Sequence, residues 1–210
     1  MSHALNYSSL PTIQDMTYQF YISLKDSSPF IWRRVCVPSS ITFDDLHLVI
    51  QIVMPWENVH LYEFSVDREY GKDTIAPLEE SELEDYVHRR KSKLNAETLT
   101  LESYLETEGT TFSYIYDFGD NWHHELILEK RERTGPHFPK CIEWRGIAPL
   151  EDCGGVPGFN QLLSILKDPL HPKYHETLEW ADMERGEKFE EVYVFDLNEV
   201  NGILEEVFEE

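Results

Sequence analysis

From Thr17 the chain alternates, and Tyr18, Phe20, Ile22 and Leu24 fall on one side of an extended segment. Asp26-Ser27-Ser28-Pro29 reads as a turn and Ile31–Val37 as a second strand closed by Pro38, so the two segments pair as a hairpin. The period then changes. Thr42, with Asp45 three residues on, has the form of a capping box opening a helix. Phe43, Leu46, Val49, Ile50 and Val53 recur at helical spacing until Pro55 stops the run. Leu48 and Ile52 widen the apolar stripe, which implies cover on more than one side. His60–Val66 alternates again and reads as a third strand. The resulting β-β-α-β order is that of β-grasp-like sheets.

Residues 67–109 carry a weaker pattern. Leu83, Val87 and Leu94 suggest a charged surface helix, and Leu101, Tyr104 and Leu105 a short one ending near Gly109. Two strands follow, then a Pro/Gly-rich stretch from Gly135 to Gly158. Three C-terminal helices are expected. The first carries Phe159, Leu162, Leu163 and Leu166 and stops at Pro169; the second spans Pro172 to Ala181. The third starts at Asp196, boxed with Glu199, and would bury Val200, Ile203, Leu204 and Val207. The fold class is α+β: a mixed, mostly antiparallel sheet with C-terminal helices. Residues 1–16 lack periodicity and read as a frayed N-terminus; 17–208 read as one domain.

The strands between 112 and 130 allow a register argument. Phe112, Tyr114, Tyr116 and Phe118 form one apolar row, and Trp122, His124, Leu126 and Leu128 the returning one. A Gly119-Asp120-Asn121 loop would pair Phe118 with Trp122, Tyr116 with His124, Tyr114 with Leu126 and Phe112 with Leu128. A two-residue turn would turn every side chain to the opposite face, so burial of the aromatics selects the first arrangement. It puts His124 beside Tyr116, partly desolvated, and Asp117 opposite His123. Burial lowers a histidine pKa and a carboxylate raises it, so the two imidazoles should titrate apart.

Charge narrows the function. The 210-residue chain has a net charge of −22, and residues 146–210 hold 4 Lys/Arg against 16 Asp/Glu. Nucleic-acid binding normally needs a basic stripe that releases counterions. The one dense basic run, His88–Lys93, is flanked by Glu79, Glu80, Glu82, Glu84 and Asp85 and reads as a solvated helix end. Direct nucleic-acid binding is therefore disfavoured, whereas a basic or metal-bearing protein partner suits the acidic C-terminal third. Cys36, Cys141 and Cys153 are too few for a disulfide framework. No apolar run is long enough for a membrane span, and the first thirty residues lack a signal-peptide pattern. The expected setting is cytoplasmic with reduced thiols.

Several blocks together resemble a known family. WRR at Trp32–Arg34, LHLVIQ at Leu46–Gln51, HLYEF at His60–Phe64, YG at Tyr70-Gly71, YDFGDNWHHELILE at Tyr116–Glu129 and PLEDCGGVPG at Pro149–Gly158 are similar, in this order, to the plasmid pRiA4b ORF-3-like family. The resemblance covers about residues 17–205. It implies an α+β domain without a defined reaction, associated in some relatives with mobile elements under a resolvase-like label. This chain has no serine-recombinase nucleophile motif, and its charge is wrong for DNA. The family pattern often reads Ala-Cys-Pro-Pro-Glu-Asp-Cys-Gly-Gly; Ala148 and Leu150 stand here in place of the first Cys and second Pro.

Two candidate chemistries arise. Cys141 and Cys153 with His60 or His124 could supply soft ligands to zinc, which takes four, but Ala148 leaves that set a ligand short. Asp117, Asp120, His124, Glu151 and Asp152 could form a hydrolytic or acid–base site near two tight turns. The competing explanation is structural: acids beside glycines accept backbone N–H bonds, and buried cysteines behave as small hydrophobes. Gly154-Gly155-x-x-Gly158 lacks the Lys-Ser/Thr of a phosphate loop, so no cofactor is expected. The residues favour an accessory or interaction domain over an enzyme. The enzyme alternative requires His124, Asp120 and Glu151 or Asp152 to line one open pocket.

Overall fold

A computed structural model describes residues 16–69, 71–78 and 93–209. The expected frayed segment up to residue 15, Tyr70 and the expected helix carrying Leu83, Val87 and most of the basic run lie outside them. Strands β1 (Thr17–Leu24) and β2 (Trp32–Pro38) form the expected hairpin, with Phe20 opposite Val35. Helix α1 (Phe43–Val53) opens with both halves of the capping box: Thr42 Oγ1 accepts from Asp45 N–H, and Asp45 accepts from Thr42 N–H. Such a cap contributes about 1 kcal/mol.

The sheet continues through β3 (Tyr62–Arg68), β4 (Gly71–Ala76), β5 (Lys93–Asn95), β6 (Thr111–Tyr116), β7 (Trp122–Glu132) and β8 (Lys140–Arg145). Its order is β5-β4-β3-β6-β7-β1-β2-β8, and among the described residues only the β4–β5 pair is parallel. The β-β-α-β order is present, but β3 joins the sheet through β6 and β4, with β6 and β7 separating it from β1. Leu94 belongs to the parallel edge strand, not to a helix. The Pro/Gly-rich stretch contains β8, whose Lys140–Arg145 segment pairs with β2. That pairing is long-range, so no local pattern announces it.

One face of the sheet is the buried one, even-numbered in β1, β3, β6 and β7 and odd-numbered in β2. Tyr18, Phe20, Ile22, Leu24, Phe64, Tyr114, Trp122, Leu126 and Leu128 meet Phe43, Leu46, Val49, Ile50 and Val53 of α1. Each such side chain contributes about 1.5–3 kcal/mol. Short α2 (Leu101–Tyr104) follows β5, and α3 (Gly155–Leu166), α4 (Tyr174–Trp180), short α5 (Phe189–Val192) and α6 (Leu197–Phe208) complete the chain. Helix α6 contacts both α1 and β8, giving α1 the second covered side that its wide stripe implies. Asp196 caps α6 by accepting from Asn198 and Glu199 N–H. Val200 and Leu204 are buried, but Ile203 and Val207 are about two-fifths exposed, so the apolar stripe is narrower in contact than in sequence.

Arg33 of the Trp-Arg-Arg block is fully buried. Its Nε donates to Val53 C=O at 2.7 Å, and its Nη1 to the carbonyls of Arg145 and Gly146 at 3.1 and 3.0 Å. The guanidinium lies 4.3 Å over the Phe195 ring. It thus closes the C-terminal end of α1, where the helix dipole is negative, and fixes the exit of β8. Burial lowers its pKa to about 10.

Candidate functional site

The two motif-bearing turns meet at one end of the sheet, and the loop after α1 joins them. Four residues build the floor. Gln51 Nε2 donates to Tyr114 Oη at 3.0 Å, and Asn58 N–H donates to Gln51 Oε1 at 3.2 Å. His47 Nδ1 lies 2.7 Å from Tyr114 Oη, and its Nε2 lies 2.6 Å from Asn58 Oδ1. Only one proton arrangement satisfies this ring: Tyr114 O–H donates to Nδ1, and Nε2–H donates to Asn58. His47 is therefore neutral. Burial holds its pKa down near 4, against the opposing hydrogen bond to Asn58. Its ring stacks on Tyr62 at 3.7 Å. The circuit fixes Asn58, which has φ 57°, and so sets the path of residues 58–61.

Tyr116 carries the next layer. Its hydroxyl accepts from Val59 and His60 N–H at 3.0 and 3.3 Å and donates to Glu151 Oε1 at 2.6 Å. Glu151 Oε2 accepts from Glu57 N–H at 2.5 Å, while Trp56 Nε1 donates to Pro149 C=O at 2.9 Å. Asp120 Oδ2 accepts from Gly154 N–H at 3.0 Å. The loops are packed as closely as they are bonded: a Cβ on Gly155, whose φ is +67°, would lie 2.2 Å from Asp120 O. Such contact admits only glycine. The phosphate-loop resemblance of Gly154-Gly155 dissolves here, because the Asp120 carboxylate occupies the amide.

The hairpin register differs from the expected one by two residues. Tyr116 faces Trp122, Tyr114 faces His124 and Phe112 faces Leu126, around a five-residue Asp117–Asn121 loop. Asp117 and Asn121 adopt φ 53° and 55°. Asp117 N–H turns to Leu61 C=O at 2.9 Å, its Oδ1 accepts Gly119 N–H at 2.9 Å, and Asn121 N–H closes on Asp117 C=O at 2.6 Å. A shift of two preserves which face each side chain takes, so burial could not discriminate the registers; the Asx chemistry of Asp117 decided. Consequently Phe118 is exposed, Ile115 rather than Asp117 faces His123, and Asp117 turns toward His60.

His124 has no solvent exposure. It sits below Trp56 at 5.5 Å, its Nδ1–H donates to Trp122 C=O at 2.9 Å, and burial pushes its pKa down to about 3. His123 is also lowered by partial burial, with Lys25 and Lys72 nearby. None of Asp117, Asp120, Glu151 and Asp152 hydrogen bonds to His124, and with no exposure its imidazole faces no open pocket. The thiol set is not assembled either. Cys141 is buried on edge strand β8 with its thiol pushed up to about 11, and Cys153 is pushed up to about 12 by burial and then by Asp120.

A different set does come together. His60 Nε2 lies 3.3 Å from Asp152 Oδ1 and 3.9 Å from Asp117 Oδ2. Among the described residues, this is the group of three whose donor atoms lie within 4.8 Å of one another. Sequence reasoning named all three residues but never grouped them, because the two-residue register shift hid where Asp117 points. Val59, Leu61 and Phe118 stand exposed around it, at 64%, 72% and 53%.

The signature blocks thus converge on one structure, and a family model described as plasmid pRiA4b ORF-3-like protein matches residues 16–202. The chain belongs to that family. A curated relative, "Uncharacterized protein y4hQ" of Sinorhizobium fredii, is 35% identical over 162 residues, covering 76% of this chain and 78% of that protein. The crystal structure of "Protein of Unknown Function MM3350" from Methanosarcina mazei Go1 superposes with a TM-score of 0.71 at 32% identity, covering 88% of this chain and 97% of that one. Neither of these two proteins carries a reaction in its name.

Proposed function

We infer that this family member works as a non-catalytic interaction module that docks a basic protein partner through the loop end of its sheet. The carrying observation is the division of labour among those loops. Glu151, Asp120 and Asp117 hold the amides of Glu57, Gly154 and Gly119, and His124 is sealed in the core. Large apolar side chains at Val59, Leu61 and Phe118 meanwhile face solvent. Leu61 and Phe118 sit on adjoining segments tied by the Asp117–Leu61 backbone bond. Exposed apolar anchors within a charged rim are what an interface core uses. The charge of −22 favours a basic partner and steers its approach. A cytoplasmic setting fits the three free thiols, and among the described residues no helix is long and apolar enough to cross a membrane.

The test is photo-crosslinking in cells with a diazirine amino acid in place of Phe118, with crosslinked peptides identified by mass spectrometry. The reading expects one dominant protein crosslinked through a Lys/Arg-rich segment, lost with Leu61→Asp and weakened by salt. Crosslinks that survive Leu61→Asp and show no salt dependence would overturn it.

A further inference from the structure

We propose that His60, Asp117 and Asp152 form a binding site for a first-row divalent transition ion, with zinc the best-suited probe. This goes beyond the docking reading and does not depend on it. The three side chains come from three separate loops: the segment after α1, the β6–β7 loop and the turn before α3. Donors sharing one ion at about 2.0–2.2 Å stand roughly 3.0–3.5 Å apart. The observed 3.3 and 3.9 Å separations around His60 Nε2 are close to that spacing.

The individual atoms also lack other partners. His60 Nε2 is shielded from solvent yet makes no hydrogen bond, despite facing two carboxylates. An imidazolium paired with Asp152 would instead aim its N–H along the line to an oxygen. The Asp117 side chain is only 12% exposed; Gly119 N–H occupies its Oδ1, and Oδ2, which solvent still reaches, is the oxygen facing His60. A solvent-shielded imidazole nitrogen without a hydrogen bond, set beside two carboxylates, is costly unless something takes up its lone pair. A divalent ion would balance both carboxylates and use the nitrogen lone pair.

The surroundings resemble a built site. Gly119 N–H orients the ligating Asp117, as outer hydrogen bonds orient metal ligands. Asp117 N–H is fixed on Leu61 C=O, and His60 N–H on Tyr116 Oη, so two ligands are held before any ion arrives. An imidazole with two carboxylates suits zinc or manganese over magnesium or calcium, which take oxygen. Three protein donors leave coordination positions open, and Asp152 is exposed enough to leave them reachable from solvent.

Isothermal titration of the chelator-treated full chain with zinc chloride tests this. The expected result is one equivalent bound, more than tenfold weaker in His60→Ala and in Asp152→Asn, and little changed in His175→Ala, a surface control. Asp152 is exposed, so its variant keeps the fold. In the wild-type chain, nitrogen-15 NMR should show the His60 Nε2 resonance shifting with the first equivalent of zinc. Absence of binding, binding unaffected by both site variants, or an unmoved His60 Nε2 resonance would each overturn the proposal.

Discussion

Acid should unfold this protein partly through His124, and the size of that effect follows from where the imidazole sits. The folded pKa is about 3, principally because burial disfavours the cation; the unfolded value is about 6.5. A histidine whose folded pKa is depressed stabilises the fold above the unfolded value. That stability is lost as pH falls from about 6.5 toward the folded value, because only the unfolded chain takes up the proton. At pH 5 the folded imidazole is still neutral, so the loss between pH 7 and pH 5 is about 2 kcal/mol for this one group. His124→Gln keeps an N–H donor for Trp122 C=O and removes the titration. Urea unfolding at both pH values then gives a double difference in which baseline destabilisation cancels. The wild-type chain should lose about 2 kcal/mol more than the variant on going to pH 5. Equal losses would refute the claim that His124 is buried and neutral.

Other consequences are as specific. Gly155→Ala should cost about 2 kcal/mol or more, read from the urea midpoint, because a Cβ there adds a 2.2 Å contact with Asp120 O to an unfavourable φ. Arg33→Lys should lose about 2–4 kcal/mol in the same assay, since an ammonium cannot replace a fork reaching Val53, Arg145 and Gly146 carbonyls together. Cys141 and Cys153, with thiols pushed up to about 11 and 12, should react with iodoacetamide far more slowly at pH 7.5 than a free thiol, by mass spectrometry of the native chain.

Much of the fold was legible because its signals are local. The alternation of Tyr18 through Leu24 marked a buried strand face, and Thr42 with Asp45 marked where α1 begins. The unread parts depend on distant partners. Nothing within Lys140–Arg145 reveals that β2 will pair with it, and Leu94 has a neighbour in β4 that its own surroundings do not indicate. The loop chemistry was half legible. Asp120 and Glu151 hold backbone amides as acids near tight turns do, but the left-handed Asp117 moved the register and turned its carboxylate from His123 to His60. The gathering of His60, Asp117 and Asp152 is a property of three loops, and no spacing within any one of them encodes it.

The central claim is that the motif acids are scaffolding for backbone, and native-state hydrogen exchange reads it directly. In the wild-type chain the Glu57 and Gly154 amides should be protected beyond their loop neighbours. Glu151→Ala should release Glu57, and Asp120→Ala should release Gly154, while the β1 and β7 amides exchange as before. Unchanged protection at Glu57 and Gly154 in these variants would contradict the account and return both carboxylates to the pool of groups free to act on a substrate.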